Sequence, residues 1–260
     1  MLALFWLALF GLRLASGMIA ALLILNPAQV NPRFFRVHYL TAMGLCAVAA
    51  FFLRDLLFAE TATSILGILL VACFLATFGG SVIWSLRNAP GGRAFGFLST
   101  VLLSFALGFA ERMTSPAVPL PWLLAGAGAS AAILGTATTA MLMGHSYLIA
   151  PAMSIVPLQR LLIALFAALV LGTALAGVGV WFWTREHSLL NLEEAAVLWL
   201  PVRWGLGFFG PLALCAMAWQ TAKIRSTQSA TGILYVVVIF CFLGELTGQL
   251  LCDSTNGVLQ

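Results

Sequence analysis

Charge is what this sequence has least of. Asp, Glu, Lys and Arg make up only 8% of its 260 residues, against roughly a quarter in a typical soluble domain. That shortage excludes an ordinary soluble fold. The five cysteines, Cys46, Cys73, Cys215, Cys241 and Cys252, form no CxxC pair, so neither a zinc nor an iron–sulfur site of the usual spacing is expected, and they read as small apolar residues. No glycine-rich loop leads into Lys-Ser/Thr, which removes the common nucleotide-binding pattern. No Ser-His-Asp or metal-hydrolase pattern emerges, so no catalytic centre of the chain's own is expected. The ten-residue alternating segments of an outer-membrane barrel are missing too. The opening MLALFWLALFGLRLASGM lacks the basic region of a cleaved signal and carries Arg13 in mid-run; it reads as a retained first helix.

Apolar residues are what is abundant, at 62%. A helix needs about 20 of them in a row to cross a bilayer. Eight runs qualify, at approximately 2–25, 37–58, 63–86, 95–111, 122–149, 158–183, 203–223 and 230–252. The expected fold is an all-α integral membrane bundle of about eight transmembrane helices, filling residues 1–260 as a single polytopic domain with lipid as its surroundings. No internal repeat stands out, although four spans plus four is compatible with the pattern. Span five, with LLAGAGASAAILGTATTA, and the Gly244–Gly248 pair read as faces for close helix packing. The segment HSLLNLEEAAVLWLP before span seven reads as a short surface helix or a plain loop.

Eight spans place both termini on one side. The connections on the opposite side carry Arg33, Arg36, Arg87, Arg93, Arg160, Lys223 and Arg225 and no acid. The terminal side mixes Asp55, Glu60, Glu111, Glu186, Glu193, Glu194 and Asp253 with Arg54, Arg112, Arg185 and Arg203. Basic residues are retained in the cytoplasm during insertion. The expected location is therefore the inner, cytoplasmic membrane, with both termini extracytoplasmic. The net charge of +4 has the same origin and does not point to nucleic acid.

Two polar constellations stand out against the apolar background. Arg13 and Glu245 lie inside spans one and eight, roughly 15 Å and 10 Å from the terminal side at 1.5 Å per residue. An arginine reaches ~6 Å along its stem, so an ion pair between first and last helices is allowed. Such a pair, or a protonated and hydrogen-bonded Glu245, would fix helix packing; the functional alternative is a proton relay or a quinone-side carboxylate. Gln249 is assigned to a different part of the last helix from Glu245. The second constellation is His38 and Tyr39 in RFFRVHYL, His145 and Tyr147 in MGHSYLIAP, and Tyr235. All five fall near the arginine-rich side. Imidazole and phenol groups could hydrogen-bond a quinone, two histidines on facing helices could ligate a b-type haem, or these amphipathic residues could simply sit at the interface.

The end of the chain adds a likeness. RWGLGFFGPLALCAMAWQ, a short basic connection and ILYVVVIFCFLGELTGQLL resemble the close of the membrane anchors of the DMSO reductase and polysulphide reductase families, over about 50 residues. Such anchors are quinone-handling subunits of molybdenum-enzyme complexes. The resemblance implies an eight-helix anchor with both termini outside and a last helix bearing Gly244, Glu245 and Leu246 as its Gly-Glu-Leu motif. It also implies a quinone towards the outer face, which favours Glu245 over the His/Tyr cluster. The reading is a membrane subunit of a respiratory or redox complex that either binds quinol and passes protons or simply anchors other, electron-transferring subunits. The alternatives are a small-solute transporter, a ligand-free structural subunit and a b-haem protein. A transporter would predict a helix broken at mid-membrane, for which Gly205, Gly207, Gly210 and Pro211 are the candidates.

Overall fold

The computed structural model describes residues 2–57, 61–86, 91–150, 152–186 and 194–254. The helices are α1 (Leu2–Ile24), α2 (Pro32–Leu57), α3 (Thr61–Ile83), α4 (Gly92–Thr114), α5 (Leu120–Ile149), α6 (Val156–Glu186), α7 (Glu194–Trp204), α8 (Gly210–Lys223) and α9 (Thr227–Ser254). A π turn, Gly205–Phe209, joins α7 to α8. Among the described residues eight stretches are long and apolar enough to cross a membrane, α7 and α8 together forming the seventh. The protein is thus an all-α bundle of membrane-spanning helices. His187, Arg87, Glu60 and Glu193 lie outside the described residues.

Where boundaries differ from expectation, local chemistry gives the reason. Span two begins at Pro32, because proline suits the first helical position, where its missing N–H would have no partner. Span four is longer than the run 95–111. It starts after Gly91, whose φ of 72° only glycine adopts easily, and runs past Glu111 to Thr114. The described part of the segment before span seven is neither a separate surface helix nor a loop. It is α7, which continues through the π turn into the membrane.

The helices pair as two rings of four. In the first half, α1 packs on α2, α2 on α3, α3 on α4, and α4 returns to α1. In the second, α5 packs on α6, α6 on α8, α8 on α9, and α9 returns to α5. The arrangement of four plus four is realised in three dimensions although no sequence repeat announces it. The halves meet along α1 and α5. At the centre of that seam Gly17 faces Gly135, each fifteen residues into its helix. A Cβ on Gly17 would stand 1.7 Å from the Ala131 carbonyl oxygen, and one on Gly135 would stand 1.9 Å from the Gly17 carbonyl carbon. Backbone approaches backbone here, which lipid-embedded helices use because apolar side chains gain little by leaving lipid.

Candidate functional site: a buried charge network

The network is built on five helices. α1 contributes Arg13, 6% exposed, in mid-run between Leu12 and Leu14. Its Nε donates to Glu111 Oε1 of α4 at 2.7 Å, and its Nη2 lies 2.6 Å from the same oxygen. Its Nη1 donates to Glu245 Oε1 of α9. One guanidinium thus bridges the last helices of both rings, using the fork that suits it to two carboxylates. Arg13 and Glu245, whose pairing depth alone allows, are joined here.

Glu245 is held from its other side as well. Ser130 of α5 donates Oγ–H to Glu245 Oε2 at 2.5 Å. Arg203 of α7 places Nη1 3.8 Å from that oxygen and donates to the Gly244 carbonyl at 2.6 Å. The Arg203 guanidinium also sits 4.5 Å above the Phe208 ring, a cation–π contact. Two arginines face two carboxylates, so the cluster is formally neutral. Neutrality is what permits four ionisable side chains, each less than a tenth exposed, inside a low-dielectric bundle.

Glu111 and Arg203 are the residues that sequence reasoning misplaced. The sequence places both among the mixed charges of the terminal-side connections, because each marks the edge of an apolar run. The structure buries them, Glu111 at 2% and Arg203 at 8% exposed. For Arg203 the cause is the π turn. From Pro211 through Cys215, Ala218 and Ala222, α8 keeps its buried residues at helical spacing. Extrapolated back at 100° per residue, that face would carry Trp204. The extra residue of the π turn, marked by the Gly210 N–H bonding to the Gly205 carbonyl, rotates the preceding turn and brings Arg203 inward. The glycines of span seven therefore do not break the helix as a transporter reading requires; they re-aim it.

Glycines of the facing helix make the room. A Cβ on Gly244 would lie 2.2 Å from Gly207 Cα, and one on Gly248 would lie 2.9 Å from Arg203 Cζ. The expected packing role of the Gly244–Gly248 pair is met, with the addition that Gly248 clears space for a guanidinium. Gln249 is one turn on from Glu245 and shares its side of α9, contrary to the assignment above. It lines, with Arg13, Ser130, Arg203 and Glu245, a cavity of about 10 Å³, room for one water. Both ends of the Gln249 amide and the Arg203 Nε are buried without a protein partner. A neighbouring recess of about 20 Å³ is lined by Trp122, Ser130, Gly172 and Arg203.

The His/Tyr constellation is not assembled into one site. His38 and Tyr39 are on α2, which packs on α1 and α3. His38 is fully buried, its Nδ1 2.8 Å from the Phe34 carbonyl oxygen, and its Nε2 has no partner. Tyr39 is packed where Gly80 and Gly96 leave space for its ring and hydroxyl. His145 is exposed on α5, and Tyr235 is 45% exposed on α9. Tyr147 is buried and donates its hydroxyl to the Ser154 carbonyl at 2.5 Å, tying α5 to the turn before α6. Opposed imidazoles on adjacent helices, which a bis-histidine haem needs, are not formed, so the residues present do not fit that group.

All five cysteines are free and buried, and among the described residues no cluster of His, Cys, Asp and Glu could hold a metal ion. A comparison with protein-family models finds no match, and a comparison with curated proteins finds none significantly similar.

Proposed function

We propose that the chain is a non-catalytic membrane subunit of a redox complex, anchoring an electron-transfer partner on the side where α1 begins. The observation that carries this reading is the closed charge network beneath that side. It ties α1, α4, α5, α7 and α9 together through Arg13, Glu111, Ser130, Arg203 and Glu245 and leaves no spare acid or base for chemistry. Such a cross-tied end makes a rigid platform for a docked subunit. The Gly-Glu-Leu likeness of α9 supports the same reading, because Glu245 is the network's central carboxylate. The arginine-rich opposite side supports an inner-membrane location with the platform outside. Quinol is the ligand implied by the likeness. The two recesses beside Arg203 are too small to hold one unaided, so a partner would have to complete its site.

A second reading, a structural subunit without any ligand, is favoured by one specific observation: Arg13 and Glu245 satisfy each other within the chain. Purification from native membranes in mild detergent separates the two. Under the first reading, redox subunits and an isoprenoid quinone co-purify, with no Soret band in the reduced-minus-oxidised spectrum from this chain. A homogeneous protein that carries neither quinone nor redox partner contradicts the anchor and leaves the structural subunit.

A further inference from the structure

The described residues enclose a cavity ample for a ligand, larger than the recess of about 310 Å³ between α6 and α8. It is a groove of about 800 Å³ between α4 and α5, floored by α1. Its walls are built from small residues, among them Gly17, Ala20, Gly108, Gly128 and Ala131. Its rim carries exposed apolar side chains, Phe105 at 67% and Leu124 at 44%, so it opens sideways into the lipid. The corresponding junction of the other half, α9 against α1, is closed by the edge-to-face Phe10–Phe242 pair, with ring centroids 5.1 Å apart. Among the described residues no such ring pair joins α4 to α5.

We propose that this groove is a site for an acidic phospholipid, with an acyl chain along α4 and the headgroup at Arg112. Three observations converge. The groove runs on α4 from Thr100 to Arg112, about 18 Å at the helical rise, which matches one leaflet from mid-bilayer to headgroup. Its hydroxyls are already spent: Thr100 donates to the Gly96 carbonyl at 2.9 Å, and Ser16 and Ser104 face each other at 3.5 Å. The surface left for a ligand is therefore apolar along its length and offers little to a polar solute. Arg112 is the one ionisable group among the described lining residues, and it stands at the end where the helix reaches the interface. Its Nη1 donates to the Val118 carbonyl at 2.8 Å, which fixes the guanidinium at the mouth and leaves its other N–H groups for a phosphate.

Gly128 offers a clean probe, because a Cβ there meets nothing within 4 Å. A Gly128→Leu side chain would project into the groove from a position where its Cβ meets no neighbour, and Arg112 is exposed, so Arg112→Gln leaves the core intact. The full-length protein in mild detergent is titrated with phosphatidylglycerol or phosphatidylcholine and read by native mass spectrometry. The wild type is expected to retain one phosphatidylglycerol in preference to phosphatidylcholine. Arg112→Gln should lower that preference about fivefold, the usual worth of one interfacial cation. Gly128→Leu should abolish retention of both lipids while its thermal transition stays unchanged. A photocrosslinking residue in place of Leu124 reports the occupant in intact membranes, where an adduct of phospholipid mass is expected. Equal retention by all three proteins would overturn the proposal, as would a quinone or a polypeptide in the crosslinked adduct.

Discussion

The two halves of the bundle share a pairing pattern and differ in how they treat a carboxylate. Each closes its ring with a helix that carries a glutamate towards the side where α1 begins, Glu111 in α4 and Glu245 in α9. Glu111 depends on a single cation, Arg13. Glu245 shares that cation and adds Ser130 and Arg203. The difference teaches that Arg13 is the joint between halves, whereas Arg203 and Ser130 are reinforcements of the second half alone. A buried charge left without its partner is far more costly than the net worth of the pair. The molecule should therefore fail first wherever that asymmetry is exposed.

The largest effect is expected from Arg13→Met, which strands two carboxylates with only Arg203 nearby. It should cost about 3–5 kcal/mol in unfolding by SDS from mixed micelles, the range for orphaning a buried charge. A cost equal to that of removing Arg203 would erase the distinction between joint and reinforcement. Next comes the seam itself. Gly135→Ala must push α5 off the Gly17 backbone, because no flexible side chain is there to yield. The expected cost is about 1–3 kcal/mol, whereas Gly128→Ala on the same helix should be neutral. Ser130→Ala should follow, at about 1.5 kcal/mol for one hydrogen bond to a charged acceptor. Its coupling to Glu111 should be smaller than its coupling to Glu245, since the serine bonds Glu245 directly and reaches Glu111 only through Arg13. The smallest effect is reserved for the other end of the molecule. His145→Ala should stay within about 0.5 kcal/mol, because that side chain is exposed and belongs to no network. A large loss, or a spectral change, would revive the His/Tyr constellation as a site.

That contrast also explains what was readable from the sequence. The eight spans were legible because hydrophobic length is a local property, whereas the Arg13–Glu245 pair was legible only as one that depth allows. Glu111 and Arg203 were not. Each borders an apolar run, and run edges look like interfaces when the bundle's thickness and tilt are unknown. Arg203 was doubly hidden, since its inward aim depends on a one-residue π insertion that ordinary helical periodicity does not anticipate. The His/Tyr group misled for the opposite reason. Nearness to one interface along the chain says nothing about which helices are neighbours, and α2 turns out not to pair with α5 or α9. The small-residue stretch of α5 announced close packing, but only the fold shows that its partner is α1 and that Gly17 is the residue it meets.

The central claim is that the buried charges act as one cross-linking unit. A double-mutant cycle on Arg13→Gln and Glu245→Gln, read as unfolding free energy in mixed micelles, tests it most directly. The account predicts that the two substitutions together cost less than their separate costs added, with a coupling of about 1–3 kcal/mol. Strictly additive losses would mean that the two side chains are not energetically joined, and would contradict it.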